Sequence, residues 1–224
     1  MTEIVYRFHL PSGAEEIRLD FDPDSFLLLT LPETPPPEKI PLWAELDFHK
    51  CGHCPLSSGE TPACPFAFAL SGYVDTFGHM VSHEEVDIEV ITPGRHISAR
   101  RPLQSGIASM VGLIGATSGC PHLAFYRPMA RFHLPFAEEE ETLYRVLSLF
   151  LMRGLLADES QDMARLNAVM ADVCTVNEGM AERIKDGFDK DAMINAIVVL
   201  DCFAMTVPME IETRFDGMKK LFKS

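Results

Sequence analysis

The chain has 224 residues, with 33 acidic against 19 basic side chains and a formal net charge of −14. Such a surface repels phosphate backbones and anionic headgroups, which argues against nucleic acid and acidic membranes as partners. Apolar residues make up 47% of the chain, enough for one good core or a core with a helical appendage. The most apolar helical run, Ala196 to Leu200, meets Asp201 far short of the roughly 20 residues that cross a bilayer. Met1 to Arg7 has no secretory-signal pattern. The expected setting is cytoplasmic, where thiols stay reduced and clustered cysteines point to metal rather than to disulfides.

In chain order, Ile4–Leu10 and Glu16–Phe21 alternate apolar and polar residues around the turn Pro11-Ser12-Gly13, which predicts a β-hairpin. Ser25–Leu31 reads as a third short strand. Pro32, Pro35, Pro36, Pro37 and Pro41 form an extended surface link over 32–41. Phe66, Leu70, Tyr73, Val74 and Phe77 predict a helix over 66–79, with Pro65 in its first turn. Glu85–Thr92 alternates again, and Pro93-Gly94 turns into Ile97–Arg101, so a second hairpin joins the first in one antiparallel sheet. Leu103, Ile107, Val111 and Ile114 mark a buried helix that delivers Cys120 beyond its end.

From Pro135 onward only helical patterns remain. Glu138–Glu141 place carboxylates in a first turn, where the helix dipole favours them. The apolar face is then Leu143, Leu147, Phe150 and Leu151. Met163, Leu166, Met170, Val173, Asn177, Met180 and Ile184 repeat at steps of three and four, a heptad seam with Asn177 at a core position. Met193, Ile197, Leu200, Ala204 and Val207 continue a matching seam, and Pro208 opens a last helix with Ile211, Phe215 and Met218. The seam serves either intramolecular packing or a homodimer through the carboxy-terminal helices. Cys174 and Cys202 fall on these helices as buried, inert thiols.

The chemistry centres on His49-Lys50-Cys51-Gly52-His53-Cys54-Pro55 and Cys64-Pro65. With Cys120, in Thr117-Ser118-Gly119-Cys120-Pro121, they supply four thiolates. Cys-x-x-Cys aims two sulfurs at one centre through a tight turn, and four suit either tetrahedral zinc or an iron–sulfur cluster. His49 and His53 are alternate ligands for a three-cysteine zinc site. Cys54, Cys64 and Cys120 each precede proline, as does the last cysteine of bacterial ferredoxin runs. Cys51-Gly52-His53-Cys54 also spells a disulfide-isomerase tetrapeptide, but Pro55, Gly59, Pro62 and Pro65 deny it the long helix that such a thiol needs.

A second polar group, Arg127, Arg131 and His133, offers two guanidinium groups and an imidazole to a small anionic ligand, or pairs with the chain's own carboxylates. His79 and His83 have helical metal spacing without the glutamate of a metalloprotease helix. Ser118 lacks a nucleophile elbow, and Gly115 with Gly119 makes no phosphate loop.

Phe48–Leu56, with its His-x-Cys-x-x-Cys-Pro-Leu pattern, Thr117–Pro121 and Arg127–Phe136 together resemble an uncharacterised bacterial domain family with no assigned activity. The resemblance runs from the first strands to about Leu156. It implies a bacterial source and one unit centred on the cysteines.

The sequence therefore predicts an α+β fold: a small antiparallel sheet, a four-cysteine metal site and a carboxy-terminal helical bundle. Residues 1–136 form the metal-binding domain, with strands in 1–31 and the link at 32–41, and the helical region 137–224 packs on it. The expected function is a non-catalytic metal-binding protein, structural or sensory, since four thiolates leave zinc no open position. The rival is an enzyme, either an iron–sulfur oxidoreductase or one binding a small anion at Arg127, Arg131 and His133.

Overall fold

A computed structural model describes residues 2–29, 40–77, 80–157, 162–187, 193–202 and 204–205. Its centre is a four-stranded antiparallel sheet in the order β2-β1-β3-β4. β1 (Thr2–Leu10) pairs with β2 (Gly13–Phe21) from Thr2 opposite Phe21 to Leu10 opposite Gly13. β3 (Glu85–Thr92) pairs with β1 on its other side and with β4 (Arg95–Pro102) as a second hairpin. Alternation decides which side is covered. Ile4, Tyr6, Phe8, Ile17, Leu19, Phe21, Val86, Ile88 and Val90 all point into the core. Arg7, Glu16, Arg18 and Glu89 pair with one another on the opposite side.

Helix α3 (Leu103–Thr117) lies across the covered face. It comes very close at Gly106, where a Cβ would stand 2.6 Å from Ile88 Cδ1 and 2.8 Å from Phe8 Cε1. Each large apolar side chain so buried contributes about 1.5–3 kcal/mol, and these contacts make up most of the core. α1 (Pro65–Ser71) packs beside α3 through Phe66, Ala67 and Leu70.

The predicted helix over 66–79 is in fact broken. It stops at Gly72 and Tyr73 and resumes as the short α2 (Val74–Phe77). The predicted third strand is a tight turn instead. The Asp22 carboxylate accepts from the Ser25 amide and hydroxyl, Phe26 takes a φ of 57°, and only Leu28 bridges back to Phe21. The chain then docks on the end of α3 through the Leu28 amide and Thr117 O. The proline link at 32–39 lies outside the described residues, as do His79, Val207 and the last predicted helix.

α4 (Arg127–Arg131) is a single turn opened by Pro128. α5 (Glu139–Ala157) begins with the predicted carboxylates, and Glu141 accepts from the Glu138 amide as a cap. Its buried stripe is Leu143, Val146, Phe150 and Gly154, while Leu151 faces outward at 47% exposure. α6 (Met163–Gly187) buries the predicted seam from Leu166 to Ile184 within the chain's own core and leaves Met163 exposed. Its first half packs on α5 in a small cluster with Phe125, and Val173, Val176, Met180 and Ile184 join the main core. Residues 193–202 are helical, with Met193, Ala196 and Ile197 buried. Cys174 is only half-buried and Cys202 is exposed, against the expectation of two buried thiols. Among the described residues no helix is long and apolar enough to cross a membrane.

Candidate metal centre

Three loops carry the four cysteines, and each is tied to the next. The Cys54 amide donates to Cys51 O at 3.0 Å, closing the Cys-x-x-Cys turn, and Lys50 Nζ donates to Leu56 O to hold the loop behind it. Cys64 caps α1. Its amide donates to Ala44 O, and Glu45 bridges Ala63 in a two-stranded contact, so the second loop runs beside the approach to the first. Cys120 follows α3 through Gly119, whose φ of 91° suits glycine and which stands against Pro65. His122 Nε2 and His53 O lie 3.1 Å apart, joining the third loop to the first.

The thiols register this environment. Burial pushes the Cys51 thiol up, with smaller contributions from Cys64 and Cys54, and the Arg183 guanidinium opposes them. Burial also pushes Cys120 up to about 11. The main-chain amides of Leu123 and His122 pull it back, while Cys64 and Cys51 add to the rise. Amides directed at sulfur are the outer support that metal thiolates use.

The four sulfurs do not, however, form the tight cage of one tetrahedral ion. Among the described residues, the donors that come within 4.8 Å of one another are His53, His122 and Asp172. The two rings lie tilted at 35° with 3.8 Å between centroids, and Asp172 on α6 reaches His53 at 3.6 Å and His122 at 3.5 Å. His53 Nδ1 is buried without a hydrogen-bond partner among the described residues. The other alternate ligand, His49, turns away to Asp186 Oδ2 at 2.7 Å.

Helix α6 backs all of this. Gly179 leaves room for Cys51 Sγ, 3.1 Å from where a Cβ would stand, and Gly187 does the same for the Trp43 side chain. Between them Arg183, 1% exposed, donates to Trp43 O, Glu45 O and Leu46 O at 2.7–3.0 Å. A buried cation thus fixes the segment that leads into the cysteines. Neither Arg183 nor Asp172 carries a signal in the sequence. His122 does, standing two residues after Cys120.

The expected anion group is dispersed. Arg131 donates to Pro23 O and lies over the Phe26 ring. Arg127 has a buried Nε with no partner among the described residues. His133 sits at the sheet end of a cavity, bonded to Tyr6 Oη, and burial with the nearby Arg145 charge lowers its pKa to about 3.

The family model of a domain of unknown function, DUF6901, matches residues 4–223. The chain belongs to that family. The match runs well past Leu156 and takes in the helical region that backs the cysteine loops. Comparison with curated proteins and with solved structures returns no match.

Proposed function

We propose that this DUF6901 chain is an iron–sulfur protein whose cluster is held by Cys51, Cys54, Cys64 and Cys120 and serves as a sensing or electron-accepting centre rather than as a catalyst. The observation that carries this reading is the joining of three cysteine loops in one place, with Cys51 and Cys120 each influenced by Cys64, while no three sulfurs meet at single-ion spacing. A cluster of several irons spreads its thiolates wider than one zinc does, which is why the reading prefers a cluster to a single zinc. The Arg183 cation and the amides at Cys120 offset the negative charge that four thiolates bring.

A second reading rests on His53, His122 and Asp172. Two imidazoles and one carboxylate within 4.8 Å suit a single iron or zinc with open positions. That centre would bind substrate or oxygen, and the protein would be an enzyme.

Metal analysis and an absorption spectrum of protein purified without oxygen separate the two. The cluster reading expects iron and acid-labile sulfide together, lost in Cys120→Ser as completely as in Cys54→Ser and kept in His122→Ala. Metal without sulfide, lost in His122→Ala and kept in both cysteine variants, would establish the second reading. Zinc lost with the cysteines would make the centre a structural staple.

A further inference from the structure

Between α3, α4, α6 and the helical residues 193–202 lies a cavity of about 490 Å³, a size that suits a small organic molecule. Its floor is made of small residues of α3, among them Ala108, Gly112 and Ala116, and Leu200 and Val173 close over them. An apolar floor alone would select nothing. The polar groups on its wall do.

Asn177 is 3% exposed and lines this space, yet its Nδ2 has no hydrogen-bond partner among the described residues. A buried amide left so is destabilising unless something accepts from it. Arg145 reaches the cavity from α5. It donates to Met129 O and Phe132 O, and among the described residues no carboxylate pairs with it. Burial lowers its pKa, the Glu141 carboxylate one turn back on α5 opposes that, and the Arg95 charge adds to it. His133 lies beside it, held by Tyr6 Oη, which also bonds Ser109 Oγ at 3.1 Å. Arg101 lines the same wall. The walls are mostly apolar, and the charged groups that line them include two arginines and one exposed acid, Glu138.

We infer that this cavity binds a small organic carboxylate with an apolar body, its carboxylate accepting from Arg145 and its body lying on the small-residue floor of α3 within reach of Asn177. The site is separate from the metal donors and does not depend on what they bind. A flat or linear body fits because α3 presents no large side chain at Ala108, Gly112 and Ala116. The ligand's carboxylate would accept directly from the guanidinium through paired hydrogen bonds, a contact that Glu141 makes only at longer range. The match of charge and apolar contact, rather than either alone, sets the specificity.

The test is calorimetric titration of the full chain with decanoate and 2-naphthoate, each against its uncharged counterpart, 1-decanol and 2-naphthalenemethanol. At least one carboxylate binds, and at least tenfold more tightly than its alcohol. Arg145→Gln removes that tenfold preference and leaves alcohol binding unchanged. Ser105→Phe, at a half-exposed position on the cavity wall, fills the space and weakens both. Thermal melts confirm that each variant is folded, and if Arg145→Gln does not fold, Arg145→Lys is used and must reduce the preference. Binding of neither carboxylate, equal binding of acid and alcohol, or undiminished binding in folded Ser105→Phe overturns the assignment.

Discussion

Replacing Arg183 by Met tests whether α6 fixes the entrance to the cysteine site. The guanidinium donates three hydrogen bonds to the carbonyls of Trp43, Glu45 and Leu46. Methionine matches its length but leaves those buried acceptors unmet, at about 1–3 kcal/mol each. Part of that loss is recovered because a buried cation no longer has to be desolvated. The net effect is a destabilisation of about 3 kcal/mol. For a chain of this size 1 kcal/mol moves Tm by about 2–4 °C, so the melt should fall by about 6–12 °C. Hydrogen exchange should quicken first in residues 42–51, because those are the residues Arg183 holds. Arg183→Lys should recover only part of the loss, since an ammonium cannot fork to three carbonyls. A Tm within 2 °C of the parent, or exchange that quickens evenly through the chain, would refute the reasoning.

Two further outcomes follow from the core and from His133. Gly106→Ala puts a methyl within 2.8 Å of both Ile88 and Phe8; the overpacking outweighs the better helix propensity, and urea unfolding should show a loss of about 1–2 kcal/mol. An unchanged midpoint would mean that α3 does not lie so close to the sheet. His133 is held neutral, with a folded pKa of about 3 below its ordinary 6.5. Its neutral burial therefore contributes fully above pH 6.5. As the pH falls from 6.5 toward 3 the unfolded chain takes up a proton that the folded one refuses, so stability drops, by about 1–2 kcal/mol at pH 5. His133→Gln should flatten that acid limb in a series of melts, and an equally steep limb would show that other groups cause it.

The sheet was legible because its signals are local. Ile4, Tyr6 and Phe8, and again Val86, Ile88 and Val90, alternate cleanly, and each hairpin carries its own turn. The heptad seam of α6 was equally plain, although the same pattern suits a neighbouring chain and only the packed core shows that it is internal. Ser25–Leu31 misled because its composition suits a strand, while the Asp22 carboxylate capturing Ser25 decides for a turn. The Cys-x-x-Cys turn could be read from its residue types and spacing, although the sulfurs do not meet at single-ion spacing. Its support could not. Asp172 and Arg183 lie on a helix more than a hundred residues beyond the Cys-x-x-Cys turn, and nothing local in the sequence says that Arg183 will be buried or that Asp172 will face His53 and His122. Arg145 and Asn177 became cavity groups for the same reason.

The distance along the chain between the cysteine loops and their backing has a consequence for synthesis. His49 and its partner Asp186 are 137 residues apart. At about 5–20 residues per second a ribosome needs roughly 7–30 s to make that stretch. Through that interval the Cys-x-x-Cys turn exists without Gly179 behind Cys51 and without Arg183 at its entrance. In the newborn chain Cys51 therefore lies open on the side that Gly179 later covers, and the loop takes its final support only when α6 arrives.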